Sequence, residues 1–232
     1  MFLFQKATYA FSVANPGDAL PESQGEIAFA GRSNAGKSSA INTLAGRRRL
    51  AFVSKTPGRT QMINFFSLGA GKYLVDLPGY GYAKAPGAVR EQWGLLTAAY
   101  LRERTELCGM VLIMDIRHPF TELDERLIEF VSTLELPVHI LLSKCDKVSR
   151  AQSASVLGEA RDRLTGGWAR HSVQLFSSLR RIGVDDAEQR IATMLGMEYS
   201  RRDRPPVARR REDAQKPART GGTKMNPRAK GG

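Results

Sequence analysis

The sequence predicts an α/β fold: a mostly parallel six-stranded sheet with one antiparallel strand and helices on both faces. Short apolar, β-rich runs alternate with segments of helical period, and strands separated by helices pair in parallel with helices covering both faces. One pair of runs is instead joined by Gly69-Ala70-Gly71, a hairpin turn, which makes one strand antiparallel. The 232 residues, 42% of them hydrophobic, suffice for the core of one domain of moderate size plus tails.

In chain order, Ile27–Ala30 reads as a short buried strand and Lys37–Leu44 as a helix. Met62–Leu68 and Lys72–Val75 form the hairpin, and Val89–Arg104 is helical. Met110–Asp115 is a strand, followed by a helix at Thr121–Leu134 with Leu123, Leu127, Ile128 and Val131 on one face. Val138–Leu142 and Val173–Phe176 complete the strands, with helices at Ala151–Leu164 and Asp185–Leu195, the last capped by Asp185. The expected division is an N-terminal extension at 1–24 packing on the domain, the domain itself at 25–199, and a tail at 200–232. Ligands of such sheets bind beyond the carboxyl ends of the strands.

Composition excludes several classes. No N-terminal signal segment is expected, since Gln5-Lys6 interrupts the apolar start. The longest apolar run, Met110–Met114, falls far short of the roughly 20 residues of a membrane span, so no membrane partner is expected. Two cysteines, Cys108 and Cys145, argue for a reducing compartment, and His118, His139 and His171 lack metal-ligand spacing. The tail holds eleven Lys/Arg against three Asp/Glu, a net of +8, which leaves +4 of the chain's +12 for residues 1–199. Rich in Pro and Gly, the tail is expected to be disordered: a solvated extension or a sequence-tolerant contact with RNA.

Function is concentrated in the loops after the strands. "GRSNAGKSS", residues 31–39, matches G-x-x-x-x-G-K-[ST] between a strand and a helix. Gly31 and Gly36 let the backbone of Arg32, Ser33, Asn34 and Ala35 turn its N–H groups toward a phosphate. Lys37 reaches the β/γ-phosphates, the Ser38 hydroxyl ligates Mg²⁺, and the helix N-terminus adds its dipole. Asp76 ends a strand 39 residues after Lys37 and heads "DLPG", with Leu77 and Pro78 leading to Gly79, whose N–H would meet the γ-phosphate. "SKTPGRTQ", residues 54–61, should be mobile, with Thr60 the leading candidate for Mg²⁺ and γ-phosphate and Thr56 the alternative.

"SKCD", residues 143–146, ends another strand. Asp146 would accept from the guanine N1–H and N2–H₂ edge, which adenine lacks, and so select GTP over ATP. The Lys144 stem would lie along the purine face. Phe176, Ser177 and Ser178 end the next strand, where a backbone N–H could meet guanine O6. Arg117-His118 could look catalytic, but Pro119 and Phe120 favour a rigid structural loop.

These strings together resemble the EngB (YihA/YsxC) family of bacterial Ras-like GTPases, of the TrmE-Era-EngA-EngB-septin-like class, over roughly residues 6–196. The resemblance rests on "GEIAFAGRSNAGKSSAINTL", "SKTPGRTQMINFF", "YLVDLPGYGYAKAP", "MDIRHPFTELD" and "VQLFSSLRRIGVDD". It implies a P-loop NTPase with a Ras-like GTPase domain in the cytoplasm, cycling GTP and GDP with Mg²⁺. It also implies a role in assembling the large ribosomal subunit and a need for the protein in normal cell division and septation; slow intrinsic hydrolysis is expected separately, from the missing water-positioning residue. Partners would be the large subunit or its precursor and rRNA, and the protein is expected to be a monomer. By position, Lys37, Thr60 and Gly79 carry the catalytic roles, and Ser38 and Thr60 ligate the metal. Gly58, Arg59, Thr60, Gln61 and Met62 touch the phosphate end. Ser143, Lys144, Cys145 and Asp146, with Phe176 to Ser178, hold the base. The family pattern has Thr where this chain has Ser143. Asn34 sits where some related GTPases hold K⁺, although a loop-bracing amide serves as well. The alternative function is an RNA-binding scaffold in which GTP is structural. Its support is the basic tail and Tyr80, which stands where a water-positioning glutamine is usual.

Overall fold

The computed structural model describes residues 4–47, 49–51, 62–81, 87–165 and 170–199, with only the backbone for 87–93. Its strands are β1 (Thr8–Val13), β2 (Gly25–Gly31), β3 (Ile63–Gly69), β4 (Lys72–Asp76), β5 (Leu107–Asp115), β6 (Val138–Ser143) and β7 (Ser172–Leu175). Its α-helices are α1 (Lys37–Leu44), α2 (Gly87–Glu103), α3 (Glu122–Thr133), α4 (Arg150–Thr165) and α5 (Val184–Met194).

The sheet order is β1-β3-β4-β2-β5-β6-β7, seven strands rather than the six the sequence predicts. The additional strand, β1, pairs antiparallel with β3 at the sheet edge. Its outer half is exposed, and the Phe11 ring stacks on Phe65 with centroids 4.4 Å apart. Its apolar content is completed by a partner more than 50 residues away, which a local pattern does not display. β3 is antiparallel to both neighbours and all other pairings are parallel.

β2 is buried along its whole length, and its side chains alternate between two cores. Ala28 and Ala30 face a core with Leu96 and Tyr100 of α2, Ile128 and Val131 of α3, and Leu164 of α4. Ile27 and Phe29 face Ile41 and Leu44 of α1 and Ile191 of α5. Two helical expectations need correction. Leu123 is 41% exposed, and the buried stripe of α3 runs instead through Asp124, Ile128 and Val131. The carboxylate can occupy that face because it is hydrogen-bonded there. α5 is capped by Gly183 at φ +70, not by Asp185, which lies in the first turn where the helix dipole favours it.

The edge of the sheet away from the strands' carboxyl ends is closed by a buried polar group. Glu26 is fully buried at the start of β2. It accepts Tyr100 Oη at 2.7 Å, Arg104 Nε at 3.0 Å and Arg104 Nη2 at 2.5 Å. The same Arg104 nitrogen donates to the Pro21 carbonyl at 2.5 Å, tying the chain before β2 to the end of α2. Removing one partner of a buried pair leaves the other charge uncompensated. Arg104→Ala should therefore lower the free energy of unfolding by about 3 kcal/mol, measured by urea denaturation.

Candidate nucleotide site

Gly36, at φ +104, ends the 31–36 turn in a left-handed conformation and hands the chain to α1. Gly31 must be glycine for a different reason: a Cβ there would come within 2.8 Å of the Ile113 carbonyl. The pairing of β2 with β4 continues past Asp76 into the loop. Leu77 N–H donates to Phe29 O at 3.0 Å, Ser33 N–H to Tyr80 O at 2.9 Å, and Tyr80 N–H to Gly31 O at 3.4 Å. Gly79 is thereby laid against the turn, where a Cβ would be 3.6 Å from Gly31 O and 3.8 Å from Ser33 N.

Lys37, the first residue of α1, forms an ion pair with Asp76, and both side chains are nearly buried. Ser38 follows in the same helical turn, so a hydroxyl and a carboxylate serve one end of α1. Such hard oxygen donors suit magnesium. Among the described residues no group of three or more His, Cys, Asp or Glu gathers for a metal.

The 143–146 loop is fastened to the 31–36 turn. Ser143, 3% exposed, donates its hydroxyl to the Ala35 carbonyl at 2.5 Å, so serine makes the link to the glycine loop. Lys144, at φ +58, sends its ammonium to the Asn34 carbonyl at 2.6 Å and to Asp115 Oδ2 at 3.0 Å. Burial pushes the Asp115 carboxyl up, but hydrogen bonds from Arg117 and Lys144 more than reverse this and hold it well below the usual carboxylate range. Cys145 is buried, its N–H bonded to Phe176 O at 3.2 Å, and burial pushes its thiol up, away from reactivity. Asp146 Oδ1 accepts the Ser177 hydroxyl at 2.5 Å, which joins the two loops read as holding the base. Ser177 also accepts Arg180 N–H at 3.0 Å, and Ser178 follows it in a tight turn closed by mutual hydrogen bonds between Ser177 and Ile182. Met62 immediately precedes β3 and is 38% exposed. Gly58, Arg59, Thr60, Gln61 and Thr56 lie outside the described residues, as does the tail from 200.

Two carboxylates that sequence reasoning did not single out lie beside these loops: Asp115, and Asp124 at the start of α3. Asp124, 1% exposed, takes the Tyr80 hydroxyl on Oδ1 at 2.6 Å and the Thr121 hydroxyl and N–H on Oδ2 at 2.8 and 2.9 Å. Burial first, then the neighbouring Asp124 charge, push the Tyr80 phenol far above its ordinary value, so it remains a donor. Both carboxylates stand in "MDIRHPFTELD", but only the folded chain brings them to their partners. Arg117 spends its guanidinium on Asp115 at 2.9 and 2.6 Å, consistent with a structural loop.

A glycine turn opening a helix after β2, an Asp at the end of β4, and a purine-type loop after β6, all at one edge of a mostly parallel sheet, define a P-loop GTPase domain. A family model described as "50S ribosome-binding GTPase" matches residues 26–144. The "Probable GTP-binding protein EngB" of Dechloromonas aromatica (strain RCB) is 56% identical over 205 residues, 88% of this chain and 93% of that one. That of Aromatoleum aromaticum (strain DSM 19018 / LMG 30748 / EbN1) is 54% identical over 197 residues, 85% of this chain and 91% of its own. The chain belongs to the EngB family of GTP-binding proteins and is a GTPase. The same fold occurs in the crystal structure of a probable GTP-binding protein engB, with TM-score 0.61 and 22% identity over 74% of this chain and 98% of that one. It also occurs in a GTP-binding protein from the hyperthermophilic archaeon Sulfolobus solfataricus in complex with GDP, with TM-score 0.52 and 17% identity over 75% and 53%. No helix among the described residues is long and apolar enough to cross a membrane.

With its hydroxyl held on α3, Tyr80 is committed to structure. Tyr80→Phe should keep single-turnover GTP hydrolysis within about threefold of wild type. It should also lower unfolding free energy by about 1.5–3 kcal/mol, read by urea denaturation, because a buried carboxylate loses a donor. A hundredfold fall in the rate would instead place the phenol in the chemistry.

Proposed function

We propose that the chain is a magnesium-dependent nucleotide switch with slow intrinsic hydrolysis that assists assembly of the large ribosomal subunit. The observation that carries the nucleotide part is the pair of contacts from Ser143 and Lys144 to the Ala35 and Asn34 carbonyls, which builds phosphate loop and base loop as one unit. In this reading the backbone of 31–36 cradles the phosphates, and Lys37 exchanges its ion pair with Asp76 for phosphate oxygens. Asp146, oriented by Ser177, accepts from the guanine edge while the Lys144 stem supports the ring. Ser38 and Thr60 would hold Mg²⁺, with Asp76 bonding through water, and the ion would neutralise charge on the β/γ-phosphates. A K⁺ ion beside Asn34 belongs to the same reading, and equal hydrolysis rates in K⁺ and Na⁺ would dismiss it.

The ribosomal part is supported by the description of the matching family model and by the excess of Lys and Arg, 35 against 23 Asp and Glu. Cytoplasmic location and a requirement in cell division and septation go with it, as does a monomer acting on the particle or its rRNA. The position of Tyr80 favours a second reading, a particle-binding scaffold in which GTP is structural, because its hydroxyl is engaged elsewhere.

Single-turnover hydrolysis with and without purified large-subunit particles separates the two. Unassisted turnover should lie at about 10⁻⁴–10⁻² s⁻¹ and rise when particles are added. No GDP formed in either case would sink the switch. Asp146→Asn should weaken GTP binding on the order of a hundredfold and strengthen binding of xanthosine triphosphate, as read by nucleotide competition. Unchanged GTP affinity would refute the base-loop assignment.

A further inference from the structure

The lysine of the base loop is held by a carboxylate that belongs to neither nucleotide motif. Asp115 closes β5, and the parallel register sets it beside Ser143 at the end of β6. Its Oδ2 takes the Lys144 ammonium at 3.0 Å, while the same ammonium reaches the Asn34 carbonyl at 2.6 Å. The carboxylate is itself oriented: Oδ1 accepts the Arg117 backbone N–H at 3.1 Å and Nε at 2.9 Å, and Oδ2 accepts Nη2 at 2.6 Å. The lysine stem passes over Gly36, where a Cβ would stand 3.9 Å from Lys144 Cε.

A lysine stem is flexible, and it offers a flat apolar surface to a purine only when its head is fixed. Flexible groups that must be ordered on binding cost affinity, and ordering them beforehand recovers it. The Asn34 carbonyl supplies one neutral acceptor, and Asp115 supplies the only carboxylate within ion-pair distance of Lys144 among the described residues. We infer that Asp115 is a positioning residue for the guanine nucleotide: it pins the Lys144 ammonium, prepares the stem as the platform for the base, and so sets how long the nucleotide stays bound. The inference rests on the reading of residues 143–146 as the base loop. Asp115 does not touch the nucleotide; it acts through Lys144. Its effect enters through Lys144 at the base end, so it is the same in kind for GDP and GTP.

The test is stopped-flow release of N-methylanthraniloyl-GDP and -GTP from the full chain as wild type, Asp115→Ala, Lys144→Ala and the double variant. Asp115→Ala should speed release of both nucleotides by a similar factor, roughly tenfold. In the Lys144→Ala background the same substitution should add nothing, which a merely structural role for Asp115 would not produce. Asp115→Asn, which keeps an acceptor oxygen but not the charge, should fall between, and it carries the comparison if the alanine variant does not fold. Release unmoved by Asp115→Ala, or an acceleration that persists in full without Lys144, overturns the inference. A wild-type protein that binds no guanine nucleotide would instead fail the base-loop reading beneath it.

Discussion

A loop that turns its N–H groups inward to meet an anion turns its carbonyls outward, and each buried carbonyl then needs a donor. Much of this domain is arranged around that constraint. Gly31 O is met by Tyr80 N–H beyond β4, Arg32 O by Ala35 N–H within the turn, and Gly36 O by Ala40 N–H in α1. The two carbonyls at the crown of the turn, Asn34 and Ala35, are met by side chains from the end of β6. The shape of the phosphate loop is thus maintained by three other elements, and two of them carry the next motifs along the chain. Coupling of phosphate loop to base loop follows from backbone accounting, before any nucleotide is considered.

Charge is used differently at the two edges of the sheet. Glu26 is surrounded by a phenol, a guanidinium and the Glu106 carbonyl bonded to its own N–H, with no exposure to water, so the group locks β2 to α2. At the opposite edge Lys37 and Asp76 keep 12% and 9% of their side-chain surface open, and Lys144 keeps 31%. Partners at a rim can be exchanged for those of a ligand at modest cost, whereas partners in a closed interior cannot. The same chemistry therefore locks one end of β2 and leaves exchangeable partners at the other.

That the 31–38, 76–79 and 143–146 loops would meet at one end of the sheet was legible in the sequence from their place after successive strands, and helices and inner strands were legible because burial imposes a period. β1 was not, since its outer residues face water and its stacking partner Phe65 lies on another strand. Asp124 was hidden because Leu123 completes an apolar helical face on paper, whereas the fold buries Asp124 beside Ile128 and Val131 and leaves Leu123 exposed. Asp115 and Asp124 take their meaning from contacts 29 and 44 residues away in the chain, which depend on strand register and on where α3 begins. Local pattern carries no information about either.

The tyrosine at residue 80 is where this bears on catalysis. A phenol offers one donor, and here that donor is spent on a carboxylate that is 1% exposed. Thr121 satisfies only the other oxygen of Asp124. Pulling Tyr80 toward a phosphate would strip a donor from a buried charge, a loss of about 1.5–3 kcal/mol. Any rearrangement of this segment therefore either keeps Tyr80 docked on α3 or brings a replacement donor to Asp124. In the first case the group that orients the attacking water comes from elsewhere in the chain or from a partner. In the second, the replacement donor must arrive at the N-terminus of α3, where Asp124 sits.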